Sequence, residues 1–172
     1  MKRYYAGIGS RKTPTHVLGL MTFASAFLES QDYILRSGAA DGADLAFEKG
    51  VADPSAKEIF LPWRGFNGST SNLYLPRSEA YLMAEEYHPA WDSLSSPGRS
   101  LMARNCHQVL GLDLNTPVDM ILCWTEGGKK KGGTAQALRL AADRGILIIN
   151  LFFDKNKVLL SRWVEEGVIF FP

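Results

Sequence analysis

The stretch VDMILCWTEGGKKKGGTAQAL, residues 118–138, decides how this chain is read. Residues 118–124 form an apolar run broken only by Asp119, which has the length and character of a strand buried on both faces. A turn rich in glycine and lysine follows, and Thr134 then opens a helical rhythm that continues to Arg144. A strand that runs through a glycine turn into a helix is half of a crossover, and crossovers are how parallel strands are joined.

The same unit recurs on either side. Strands are expected over 3–8, 33–36, 58–61 and 145–151, in addition to 118–124. Pro14 opens a helix whose apolar residues Val17, Leu20, Met21, Ala24, Phe27 and Leu28 recur at the 3.6-residue period. A second helix begins at Ala43 and ends near Gly50, and others are expected over 76–87 and 100–110, separated by a turn-rich stretch around Pro89 and Pro97. Residues 63–74 read as a long exposed loop, and the tail over 157–172 as a short helix and an edge strand. No repeat or linker divides the chain, so residues 1–172 are expected to form one domain. The expected fold is α/β: a Rossmann-like, doubly wound, mainly parallel sheet of about five to seven strands with helices on both faces.

A sheet of this kind binds its ligand outside the carboxyl ends of its strands. Three glycine-bearing loops fall there. In the third, Gly132-Gly133-Thr134 delivers free backbone N–H groups and a helix dipole to any anion, with Gly128 earlier in the same turn. Glycine permits close backbone approach and positive φ, both expected at Gly133, and Thr134 is placed to cap the helix and to donate a hydroxyl. Lys129, Lys130 and Lys131 read either as a lid over phosphates or as a solvated tip. The first loop, with Gly9, Ser10 and Arg11, is a partial dinucleotide fingerprint without its third glycine. The second carries Ser37, Gly38, Ala39 and Asp41; Asp41 is suited to helix capping and to ribose binding. Asp44 and Glu48 are spaced along one helix face, which is expected to be solvated. Arg104 lies on the helix leading into the 118–124 strand, so it can face the same crevice. His107 and Gln108 beside it read as incidental.

Nineteen basic and eighteen acidic residues leave a net charge of +1, which argues against a protein that coats nucleic acid. No stretch is long and apolar enough to span a membrane, and the start, MKRYYAGIGSRK, lacks the apolar run of a signal peptide. Cys106 and Cys123 have no metal-ligand spacing, and His16 and His88 stand alone; no metal and no cofactor are expected. Two unpaired thiols, Cys123 within an apolar run, fit a reducing cytoplasmic compartment.

The segments YAGIGSRKTP and RSGAADGADLAFEKG resemble the first two loops of DNA-processing protein A, and MARNCHQVLG followed by VDMILCWTEGGKKKGGTAQAL resembles the Lonely-guy phosphoribohydrolases. Both belong to the SLOG superfamily, and the resemblance covers roughly residues 4–151. It implies a Rossmann-like fold, phosphate binding at Gly133-Thr134, a substrate-contacting and catalytic role for Arg104, and a homo-oligomer. The lysine that follows the arginine in those enzymes is Asn105 here, and their catalytic glutamate falls on Ala137. Glycosidic cleavage therefore needs a relocated carboxylate, with Asp41, Asp44, Glu48 and Glu126 as the candidates.

Three functions fit these residues. The first is a protein that binds a nucleotide or an ADP-ribose-like molecule as sensor, carrier or sequestering agent. The second is a nucleoside 5′-monophosphate N-glycosidase acting through Arg104 with Asp41 or Glu126. The third is single-stranded DNA binding, which the near-zero net charge and the lack of a basic-aromatic stripe disfavour.

Overall fold

The computed structural model describes residues 2–171. Among these residues five strands form one sheet: β1 (Arg3–Gly9), β2 (Tyr33–Ser37), β3 (Lys57–Ile59), β4 (Met120–Trp124) and β5 (Leu147–Asn150). The order is β3-β2-β1-β4-β5, and every neighbouring pair is parallel. Six α-helices accompany it among the described residues: α1 (Thr15–Ser30), α2 (Ala43–Gly50), α3 (Ser78–Tyr87), α4 (Ser96–Leu110), α5 (Thr134–Asp143) and α6 (Asp154–Glu166). This is the doubly wound, Rossmann-like arrangement that the alternating pattern predicts. No helix among the described residues is long and apolar enough to cross a membrane.

The period-2 geometry of a strand distributes the core over both faces. On one face Tyr5, Leu35, Met120, Leu122 and Ile149 pack with Val17, Met21 and Leu28 of α1, Phe47 of α2, and Leu160 and Trp163 of α6. On the other, Ala6, Ile8, Ile121 and Cys123 pack with Ala80 and Ala84 of α3, Ala103 and Val109 of α4, and Ala137 and Leu140 of α5. Gly7 lets α2 lie close to the sheet, since a Cβ there would stand 2.5 Å from Cγ of Phe47 and 2.8 Å from Cδ1 of Leu35. A methyl group at this point forces the helix away from β1.

Several boundaries differ from the sequence reading, each for a local reason. Helix α4 starts at Ser96 rather than residue 100: Ser95 caps it by accepting from the Gly98 N–H at 3.3 Å, and Pro97 sits in the first turn, where a missing N–H costs nothing. β4 starts at Met120, because the Val118 and Asp119 N–H groups donate to Val109 and Tyr4 before the ladder with β5 begins. The 63–74 segment is not wholly free, for Phe60 and Leu73 form a parallel bridge that ties its end beside β3. The tail reading needs correcting as well. A 13-residue helix, α6, begins at Asp154, and the described residues after it contain no strand. Instead the chain folds back so that Trp163 Nε1 donates to the Phe170 carbonyl at 2.7 Å. Pro172, the last residue of the expected tail, lies outside the described residues.

Candidate functional site

From β1 the chain moves to β2 on one side, while β4 pairs with β1 on the other. The strand order thus reverses between β1 and β4, and loops leaving neighbouring strands in opposite directions open a crevice at their carboxyl ends. A cleft of about 650 Å³ occupies that position, within the range of small-molecule sites. Its walls are the β1–α1 loop (Ser10, Arg11, Lys12) and the β4–α5 turn (Thr125 to Gly127, then Gly132 to Thr134), and its floor is the buried side of α4. The two walls are tied together where the Ser10 N–H donates to the Trp124 carbonyl at 3.1 Å.

At one end of the cleft stands the amino terminus of α5. Gly133 is its N-cap residue and no side chain caps it; the Ala135 N–H donates to the Gly132 carbonyl at 3.1 Å, and the N–H groups of Gly133 and Thr134, which have no intrahelical acceptor, are left for a ligand. This corrects the expectation that Thr134 is the cap; its hydroxyl is not committed to the helix. The structure also reassigns the glycine that needs positive φ. Gly132 has φ +76°, whereas Gly133 has φ −62° and ψ −31°, ordinary for any residue. A Cβ on Gly133 would meet only Cε of Met102, at 3.8 Å. The turn is held from below by Asn105, whose Nδ2 donates to the Gly133 carbonyl at 2.9 Å. Lys129 and Lys131 line the cleft and Lys130 does not. Glu126 lines it too, ion-paired at 3.7 Å with Lys12, both side chains being largely exposed.

The other end is a buried polar cluster. Arg104 is only 5% exposed, and its Nη1 donates to the carbonyls of Gly38 and Phe60, while its Nε has no protein partner. Asp44 is 3% exposed, accepts from Gln108 Nε2 at 3.5 Å, and is hydrogen-bonded by backbone groups of Ala40 and Gly9. Burial pushes the Asp44 carboxyl up to about 6, and the Arg104 guanidinium and the hydrogen bonds only partly offset that. Desolvation likewise lowers the Arg104 pKa, against the attraction of Asp44. Gly38 makes room for the cluster: a Cβ there would overlap Arg104 Nη1 and Gln108 Nε2.

Of the residues singled out from sequence, Gly9, Ser10, Arg11, Arg104, Glu126, Gly132, Gly133 and Thr134 line this one cleft. Ser37, Gly38, Ala39, Asp41 and Gly128 do not. Ser37 is buried and its Oγ donates to the Gly7 carbonyl at 2.6 Å. Gly128 allows Phe153 to pack against the turn, where a Cβ would stand 2.5 Å from Cζ of that ring. Asp41 is not a helix cap, a place taken by Gly42; its Oδ1 accepts from Asn67 Nδ2 at 2.9 Å, and that same nitrogen donates to the Ala39 carbonyl at 2.9 Å. Ala39 and Asn67 line a second, more open recess behind the β2–α2 loop, together with Glu48 and Lys49.

The sequence offers Asp44 as one of four candidate carboxylates but places it on a solvated face, and it passes over Gln108 as incidental; both are buried. Spacing pairs Asp44 with Glu48 at i+4 and predicts a solvated face; Asp44 lies instead beside Ala43 on the buried side of α2 with Ala46 and Phe47. The i+3 relation to Phe47 is the available signal. Gln108 follows Arg104 by four residues, so both project from one face of α4. His107 is not incidental either, since it is buried, its Nε2 accepts from the Arg77 N–H at 3.1 Å and its ring stacks on Phe60. Cys106 and Cys123 are buried thiols pushed up to about 12 by desolvation, which makes them unreactive at neutral pH. The described residues contain no group of three or more His, Cys, Asp or Glu side chains placed to hold a metal ion. No family model matches the chain, and neither the curated proteins nor the solved structures searched include a match to it.

Proposed function

We propose that this protein binds a phosphate-bearing nucleotide, or a nucleotide-derived molecule such as an ADP-ribose-like signal, in the cleft between β1 and β4. The observation that carries the reading is the uncapped amino terminus of α5, which opens on a cleft whose walls and floor supply Arg11, Lys12, Lys129, Lys131 and Arg104. A helix terminus and a cationic wall together favour a phosphate rather than a neutral ligand. The resemblance of the three loops to the SLOG proteins supports the same reading. Binding rather than turnover is favoured at the β4–α5 turn itself, where buried Ala137 occupies the position of the resembling enzymes' glutamate.

A second reading, hydrolysis of the ligand's N-glycosidic bond, is favoured by Asp44, a carboxylate that lines the cleft beside Arg104. Of the other candidate carboxylates, Glu126 is solvent-exposed and paired with Lys12, and Asp41 and Glu48 lie outside the cleft.

Titration calorimetry with inorganic phosphate and with a panel of nucleotides tests the proposal, with Gly133→Val as the comparison. The valine adds no positive-φ strain and meets only the end of Met102, so the variant is expected to fold while its side chain occupies the phosphate position. Loss of nucleotide binding by about tenfold or more in the folded variant is expected; full affinity counts against the site. Mass spectrometry of the same mixtures separates the two readings, since release of free base at about 1 per second or faster indicates an enzyme.

A further inference from the structure

The phosphate end accounts for α5 and the lysines but leaves the buried cluster at the opposite end of the floor unexplained. Asp44 is a carboxylate taken almost entirely out of water, yet it lines the cleft. Its protein partners are the side chain of Gln108, at a long 3.5 Å, and backbone groups of Ala40 and Gly9. An ionised carboxylate has about four lone-pair sites, so acceptor capacity remains on the side that faces the ligand. Burial of this kind is costly and carries no packing advantage over a small apolar residue.

The chemistry of what completes the cluster follows from its neighbours. A second anion meets the Asp44 charge directly. A cation meets Arg104 next to Asp44, and Arg11, Lys12, Lys129 and Lys131 along the walls. A neutral donor remains. An amine or amide N–H satisfies the carboxylate alone, whereas the Gln108 amide, which carries two N–H groups, stands beside it. A hydroxyl both donates to Asp44 and accepts from a neighbouring N–H, and so matches both sides of the cluster. One turn of helix α4 touches both features: Asn105 steadies the phosphate turn, while Arg104 next to it and Gln108 one turn on stand against Gly38 and Asp44. The cleft of about 650 Å³ contains both ends, so one ligand can carry a phosphate at one and a sugar at the other.

We infer that Asp44, flanked by Arg104 and Gln108, is the sugar-recognition group of this cleft, accepting a hydrogen bond from a ribose hydroxyl of a ligand whose phosphate lies at α5. The inference rests on the proposed nucleotide site and adds what that site discriminates: ribose from deoxyribose.

The experiment measures the affinities of adenosine, guanosine, cytidine and uridine 5′-monophosphates, each beside its 2′-deoxy and 3′-deoxy counterpart, together with inorganic phosphate. Wild-type protein is expected to bind at least one ribonucleotide about ten- to hundredfold more tightly than one of its deoxy counterparts, the range for a hydrogen bond to a charged group. In Asp44→Ala that ratio is expected to fall to within about twofold, and in Asp44→Asn, which keeps one acceptor oxygen, to lie between. Folding of each variant is checked by circular dichroism, and the ratio is internal to each protein. Wild type that binds nucleotides without distinguishing the deoxy forms overturns the inference and leaves the nucleotide site standing. A folded variant of either kind that keeps the full wild-type ratio does the same. Wild type that binds neither phosphate nor any nucleotide overturns both.

Discussion

Asp44→Asn is expected to make the protein more stable at neutral pH, and the size of the effect follows from the burial of the carboxyl. Its pKa rises from an ordinary 3.8 to about 6, chiefly by desolvation. At 1.36 kcal/mol per pKa unit this corresponds to about 3 kcal/mol. The folded state holds the proton more tightly than the unfolded state, so the unfavourable contribution is absent below pH 3.8, grows between 3.8 and about 6, and is complete above that. Asparagine has nearly the same shape and never ionises. The stability of Asp44→Asn minus that of wild type should therefore increase by about 2 kcal/mol from about pH 4, where the unfolded carboxyl is already part-ionised, to about pH 7.5. Urea denaturation followed by the fluorescence of the four tryptophans, at constant ionic strength, measures the difference at each pH. Taking the difference removes the titration of the other carboxylates. A gap that stays constant with pH, or shrinks toward neutrality, refutes the placement of Asp44 as a buried, poorly compensated carboxylate.

Two further outcomes follow from the same cluster. Gly38→Ala places a methyl group where Arg104 Nη1 and Gln108 Nε2 now lie, so it should displace the guanidinium and destabilise the fold by about 1–3 kcal/mol, the cost of overpacking; thermal unfolding within about 0.5 kcal/mol of wild type would show that the space is not needed. Arg104→Ala should weaken nucleotide binding about ten- to hundredfold in a variant that remains folded by circular dichroism, the loss expected for a charge-assisted contact, whereas unchanged affinity leaves Arg104 a purely structural tie between α4, Gly38 and Phe60.

What the sequence makes legible is the framework. Buried parallel strands are continuous apolar runs, and residues 118–124 and 145–151 carry that pattern openly; the glycine turn that follows 118–124 is equally plain. The position of the cleft follows from topology, since it lies where the loops leaving the paired strands β1 and β4 run in opposite directions. Features set by tertiary contact are not legible. The side of α2 on which Asp44 falls depends on how closely the helix packs, and that depends on Gly7 in a distant strand. Asp41 looks equivalent to Asp44 in the chain, yet Asn67, on a loop 26 residues further along, draws it away from the cleft. The sequence credits Gly133 with a backbone conformation that belongs to its neighbour Gly132, because φ is a property of the folded turn and both residues are glycine.

Whether a nucleotide phosphate sits at the amino terminus of α5 is tested most directly by a crystal structure of the protein grown with a tightly bound ribonucleoside 5′-phosphate. Phosphate oxygens are expected about 3 Å from backbone N–H groups at Gly133 and Thr134, with the ribose directed along α4 toward Asp44. A phosphate bound in the recess lined by Ala39, Lys49 and Asn67, with the cleft between β1 and β4 empty, would contradict that placement.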